Sequence, residues 1–418
     1  MENPPKVRIK EPQRDGKQIV VTLGEDTLPP EHPARLLWNA FGRLDLSRFV
    51  QGAKAVQGTV GRQVNSPRMI LTLWGLAFVR GIVHARKIER LLSTDLEFRW
   101  VSGDTSVSHT ALSDFLVLHR HAMLELFTDV LAALMAQRLL FLPSHRLTQD
   151  GTKIRADASR VSFRTTQGLG ECREQAELHL KAVMAQLDEP PLSARSQRIR
   201  EQVAQDCMDR IEQATQAVKI LQEQRANSHQ DKKKQKEPRA STTDPDARVM
   251  KMAEGQYAPA YNIQQRTVGD PHGGPIAVVA LRVTQIGNDQ NSLVPLQHQM
   301  EQSLGLCATQ VLADAQHATH QEIQDLAHVD LRIPRPKRWK PTEKVSDPAI
   351  QAWQQRNETP EAKEIYRGRK ALAERTHARW TQFGLDRLPV RGIDRVETFM
   401  RFASVVLNIL EFGPRWLN

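Results

Sequence analysis

Residues 147–159 restrict what this chain can fold into more than any other stretch. They read Leu147-Thr-Gln-Asp150-Gly-Thr-Lys-Ile-Arg-Ala-Asp157-Ala-Ser159. Thr152, Ile154 and Ala156 alternate with Lys153 and Arg155, and a period of two is that of a half-buried strand. On such a strand Asp150, Thr152, Ile154 and Ala156 share one face, and Gly151 leaves room beside the carboxylate. A single aspartate there is most often a turn or edge residue. Two further acidic positions downstream that fit the same place give it another meaning.

The strand signals resume after residue 241. Residues 257–268 and 276–284 are apolar, extended runs around a Gly/Pro/His turn at 269–275, which is a hairpin. Residues 293–304 read as a helix and 308–314 as a short apolar strand ending in Asp314. A helix over 320–327 and a last strand over 329–334 follow. This is the ribonuclease-H-like order: an α/β domain with a mixed five-stranded sheet and flanking helices, over 146–170 and 241–418. The helix after it, over 360–380, opens with Pro360, and at 100° per residue Arg367, Lys370, Glu374 and His377 share a face. A glutamate among cations is an ordinary surface network unless that face turns toward Asp150 and Asp314. If it does, carboxylates on a rigid sheet and its flanking helix make an oxygen-ligand site for two Mg²⁺ ions, with Mn²⁺ as a substitute. Paired ions about 4 Å apart suit phosphodiester chemistry. Asp157 falls on the opposite strand face, and Asp394 and Glu397 lie on the next helix. His109, His272 and His377 read as structural.

The first third is helical. Residues 1–30 are polar and proline-bearing, an arm without a pattern of its own. Over 31–145 the spacing predicts several helices, one of them capped by Ser66-Pro67 and carrying an apolar stripe through Met69, Leu73, Leu76 and Ala77. Short helices with Arg80, Arg86, Lys87 and Arg90 outside suit a DNA-binding domain of helix-turn-helix type, or a plain helical bundle. Between the first strand and the hairpin lies an insertion, 171–240. Its two amphipathic stripes, broken by Pro190-Pro191, predict a helical hairpin, and a basic run over 231–238 follows. The narrow seam suits pairing within the hairpin or with another copy of the chain.

Of 418 residues, 58 are Lys or Arg and 48 Asp or Glu, a net charge of +10 that fits a polyanionic partner. The three cysteines, Cys172, Cys207 and Cys307, have neither disulfide nor zinc-finger spacing, which points to a reducing compartment. Neither a signal peptide nor an apolar run long enough for a membrane span is present, so the expectation is a cytoplasmic protein.

Several motifs in order carry a resemblance. They are Ile88-Glu-Arg-Leu, Phe98-Arg-Trp100, Ser106 to Phe115, the Asp150 stretch, Asp244-Pro-Asp-Ala-Arg248 and Pro259-Ala-Tyr-Asn262. Leu312-Ala-Asp314, Tyr366-Arg-Gly-Arg369 through Glu374, Gly384-Leu-Asp-Arg387, Arg391-Gly392 and Leu407-Asn408 complete them. Together they make the chain resemble the DDE transposases of bacterial insertion sequences. The resemblance implies that Asp150 and Asp314 bind the metals and that Glu374 completes the triad. It implies that Tyr366 and Arg369, with Arg367 and Lys370 beside them, contact transposon-end DNA. Double-stranded DNA, as inverted repeats and as target, is then the partner of a homodimer or larger synaptic assembly. Cleavage and strand transfer are the implied reactions. Ala315-Gln316-His317 departs from the glycine-containing sequence that often follows the second aspartate. Two rivals are an end-binding protein that no longer cuts and a coiled-coil interaction protein built on 171–225. The first makes no use of the three carboxylates, and the second leaves the acidic strand ends unexplained.

Overall fold

The computed structural model describes residues 24–51, 64–140, 146–185, 194–227, 237–270, 272–337, 339 and 346–417. Most of the polar arm, Pro190-Pro191 and most of the basic run lie outside the described residues.

The strands are β1 (Leu147–Arg155), β2 (Phe163–Arg164), β3 (Ala240–Ser241), β4 (Arg248–Lys251), β5 (Tyr257–Asp270), β6 (Gly273–Thr284), β7 (Gln310–Leu312) and β8 (Asp330–Arg332). β1 is central, antiparallel to β5 with Asp150 opposite Gln265, and parallel to β7 with Thr148 opposite Leu312. β6 flanks β5, and β8 runs parallel to β7. The order β6-β5-β1-β7-β8 contains the expected five strands. A sixth, β4, pairs with Tyr257–Ala260 of β5 and corrects the expected count. Its four residues bury only Met250, too little pattern to read in sequence.

The N-terminal helices are α1 (Pro33–Gly42), α2 (Pro67–Val79), α3 (Ala85–Thr94), α4 (Leu96–Ser102), α5 (His109–Leu118) and α6 (Arg120–Ala136). Ser66 caps α2 as its sequence predicts, accepting from the Met69 amide. The expected one-sided stripe is wrong, however: every residue from Met69 to Phe78 is buried. The cause is the last helix of the chain, here called α14 after those introduced below, over Ile393–Trp416. It lies across β6 and against α1, α2 and α6. Its Phe399 meets Trp74 and Phe78 at 5.9 and 5.2 Å, and its Phe402 meets Phe41 and Phe78 at 6.4 and 5.8 Å. One hydrophobic core therefore runs from Leu28 to Trp416 through helices and sheet alike.

Two motifs anchor α14. Asp244 accepts from Tyr261 Oη at 2.7 Å and from the Gly392 amide at 3.1 Å, and Asp246 accepts from the Ile393 amide at 3.0 Å. Two carboxylates thus satisfy backbone amides at the helix N-terminus and favour its dipole. Further along, Asn408 accepts from the Val278 amide at 2.8 Å and donates to the Val278 carbonyl at 2.9 Å. A side-chain amide stands in for the missing neighbour strand at the edge of β6.

The insertion consists of α7 (Thr166–Ala185) and α8 (Ala194–Ala226), closed at its base by the β2–β3 pair. Arg173 bridges Glu212 at 3.4 Å and Gln222 donates to Thr166 at 3.1 Å, which makes the helices antiparallel. Leu169, Ala214, Ala217, Val218 and Ala240 pack at the base. Farther out, Leu178, Met184, Ile199 and Val203 are exposed. The remaining helices are α9 (Leu293–Leu304), α10 (His320–Asp325), α11 (Pro348–Glu358), α12 (Pro360–Arg367) and α13 (Arg369–Gln382). The single helix expected over 360–380 is broken at Gly368, so Arg367 is not on the helix that carries Glu374.

Candidate active site between β1 and β7

β1 and β7 are adjacent and parallel with Thr148 opposite Leu312, so Asp150 in the middle of β1 and Asp314, two residues past the end of β7, come side by side where β7 stops. α13 lies over β1 and β5. From it Arg369 donates Nη2–H to Asp150 Oδ1 at 2.6 Å, and His377 Nε2 lies 3.9 Å from the other oxygen. His377, which reads as structural in the sequence, belongs to this site.

Burial raises the Asp150 pKa above the usual carboxylate range; Arg369, His377 and His317 oppose the rise, and Asp314 adds to it. Burial pushes Asp314 upward too, but the hydrogen bond and charge of His317, together with Arg369 and the Gln316 amide, hold this carboxyl below the usual range. Burial lowers the pKa of His377, against the pull of Asp150. Tyr366, the last but one residue of α12, is shifted up by burial, and the Arg369 guanidinium lies 6.0 Å from its ring.

A chain of side chains that sequence reasoning missed holds Asp314. His317 is fully buried, with Nδ1 at 2.9 Å from Asp314 Oδ1 and Nε2 at 3.3 Å from Gln264 Oε1. Gln264 in turn donates Nε2–H to Asp289 Oδ1 at 2.6 Å, which turns its oxygen toward the histidine. Asn262 donates to the same Asp289 oxygen at 3.0 Å and to the Ile286 and Asn288 carbonyls at 3.1 Å, fixing the loop that carries the aspartate. The available signal was an unusual one: Asn262, Gln264, Gln265, Arg266 and Thr267 are consecutive or nearly so, polar and buried in the middle of a strand. Arg266 is wholly enclosed. Burial lowers its pKa to about 9, and it binds Gln149, Gln297 and the Leu293 carbonyl, tying β1 to α9.

Among the described glycines, Gly151 leaves the least room for a side chain. A Cβ there would lie 2.2 Å from both Asp289 Oδ1 and Gln264 Nε2. Gly151→Ala is expected to cost about 1–3 kcal/mol by overpacking and to disturb Asp314 through the Gln264–His317 link. Urea denaturation checks the first effect and DNA cleavage the second.

Glu374 is placed differently from the two aspartates. It is exposed on α13, 3.5 Å from Lys370 Nζ, yet close enough to His377 to act on its charge. It stands at the rim. Among the described residues Asp150, Asp314 and Glu374 do not bring three ligand atoms within 4.8 Å of one another.

The cations expected to meet DNA divide into two sets. Arg80 is held by Glu97 at 2.6 Å and Asp95 at 3.5 Å, and Arg367 is paired with Glu364. Arg86, Lys87 and Arg90 are exposed on α3 and line a cleft of about 750 Å³ together with Arg391, just before α14, and Arg395 in its first turn.

Comparison with known families adds two matches in chain order. A transposase domain model (DUF772) matches residues 24–117, and a transposase DDE domain model matches residues 234–409. The chain belongs to the DDE transposases of insertion sequences. Its ribonuclease-H-like fold follows from that family and agrees with the strand order. The first match of the transposase spans α1 to α5, and the second contains Asp314 and Glu374. Asp150 falls between them, on the near side of the α7–α8 insertion. Comparison with curated proteins and with solved structures gave no match. No helix among the described residues is long and apolar enough to cross a membrane.

Proposed function

We propose that this transposase binds the terminal inverted repeats of its element and catalyses cleavage and strand transfer, with Asp150, Asp314 and Glu374 as metal-binding catalytic residues. The supporting observation is that two aspartates 164 positions apart (314 − 150) come together where β7 stops beside the middle of β1, with an arginine from α13 on Asp150. Their oxygens are hard donors and fit a divalent ion such as Mg²⁺ or Mn²⁺, which DDE transposases use. Arg369 Nε and His377 Nε2 are buried beside Asp150 without hydrogen-bond partners; the guanidinium N–H is a donor that a phosphate oxygen would satisfy, and the imidazole nitrogen is free to donate or to bind an ion. When bound, two such ions activate the attacking water or hydroxyl and stabilise the leaving oxygen.

The chain's own side chains do the rest. β1 and β7 hold the aspartates on rigid backbone, and His317 locks the Asp314 carboxylate in orientation. Arg369 neutralises Asp150 in the metal-free protein and, once released, faces a DNA phosphate together with Tyr366 and Lys370. Arg86, Lys87 and Arg90 grip the DNA backbone along the α3 cleft, whereas Arg80 serves the fold. Each phosphate contact removed lowers the salt slope of binding by about one unit. Reversing the charge of all three α3 residues is therefore expected to lower the slope of end-binding by about three, measured by anisotropy across a salt series, and Arg80→Gln to leave it unchanged. An unchanged slope in the triple variant would move recognition elsewhere.

The exposed position of Glu374 favours one alternative, a protein that occupies transposon ends without cutting them. Incubation with a supercoiled plasmid carrying the element's ends separates the two readings. Mg²⁺-dependent release of 3′-hydroxyl ends supports the enzyme; tight end-binding without scission in either Mg²⁺ or Mn²⁺ supports the alternative. A homodimer or larger assembly is expected on two paired ends, with the exposed outer residues of α7 and α8 as its contact.

A further inference from the structure

At the C-terminal end of α9, three residues of different types converge. Glu301 is on the last turn of α9, Cys307 lies just beyond it, and His328 precedes β8. The left-handed Gly305 (φ 64°) ends the helix and turns the chain back, which brings Cys307 beneath Glu301. One ligand atom from each of the three residues lies within 4.8 Å of the other two. We propose that Glu301, Cys307 and His328 form a Zn²⁺ site, with solvent in the fourth position, that ties the end of α9 to the entries of β7 and β8.

The supporting shell is already in place. Gln297 is buried, and its Nε2 lies 2.9 Å from both Glu301 Oε1 and Cys307 Sγ. Its amide cannot turn over, because Arg266 donates to its Oε1 from the core. Buried hydrogen bonds that orient ligands from behind are characteristic of metal centres. Thiolate, imidazole and carboxylate together suit a borderline-soft ion in tetrahedral geometry and suit Mg²⁺ poorly. The three cysteines are too scattered for a zinc-finger motif, and this site uses only one of them.

Co²⁺ titration of the chelated full-length protein tests the proposal, since a thiolate ligand gives near-ultraviolet charge-transfer absorption that an oxygen-only site cannot. The expected result is a thiolate band that saturates at one ion per chain and is abolished by added Zn²⁺. It should persist in a Cys172→Ser/Cys207→Ser variant and vanish in Cys307→Ser, where the exposed position makes misfolding no obstacle. His328→Ala is expected to weaken Co²⁺ binding at least tenfold. Absence of the band in the wild type, its survival in Cys307→Ser, or its resistance to Zn²⁺ would overturn the proposal.

Discussion

Asp150→Asn and Asp314→Asn are each expected to reduce end cleavage and strand transfer more than about a hundredfold, beyond the 10–100-fold typical of changes around a metal ligand, while sparing end-binding. The same substitutions also report on charge in the metal-free protein. Three neighbouring carboxylates alone would repel, roughly 4 kcal/mol for unit charges about 4 Å apart at an effective dielectric near 20, and neutralising one would raise the melting temperature. The structure reverses that expectation. Arg369 is bonded to Asp150 and its side chain is only 11% exposed, so Asp150→Asn weakens the partner of a mostly buried cation. The metal-free variant is therefore expected to melt lower than the wild type, by calorimetry, and a higher melting point would show that carboxylate repulsion dominates. Glu374→Gln should leave metal-free stability nearly unchanged, because its pair with Lys370 is exposed.

Phe78→Ala is expected to cost about 3–5 kcal/mol, the range for removing a large buried aromatic. Phe78 is fully buried and meets Phe383, Phe399 and Phe402 at 5.2–5.8 Å, so it joins α2 to the region after α13 and to α14. Because the core is continuous, amide exchange in β1 should accelerate along with that in α2, although the substituted residue lies in the N-terminal helices. Accelerated exchange confined to residues 24–140 would show instead that these helices form an independent unit.

Much of the sheet was legible because its strands carry the period-two or continuous apolar patterns that burial demands. Asp150 and Asp314 could be picked out for the same reason: each ends or interrupts such a pattern at a strand. What sequence concealed lies in contacts between distant segments. The one-sided stripe of α2 was misleading because a second partner, α14, arrives from more than 300 residues away and buries the other face. Asp244 and Asp246 read as motif residues, but their work is to cap α14. His317 departs from the family's usual sequence, and its value emerges only when Gln264 from β5 meets its other nitrogen. Gly368 interrupts a run of good helix formers, and the break rotates Arg369 and His377 toward Asp150 while leaving Glu374 at the rim.

Asp150 and Asp314 are proposed to share a divalent metal where β7 stops beside the middle of β1. Anomalous diffraction from crystals of the wild-type protein grown with Mn²⁺ and transposon-end DNA tests it most directly. The account expects an anomalous peak about 2 Å from carboxylate oxygens of both aspartates, Glu374 drawn in from the rim, and the Arg369 guanidinium withdrawn from Asp150 Oδ1. Manganese density absent from that pocket, with Arg369 still bonded to Asp150 and DNA bound at the α3 cleft, would contradict it.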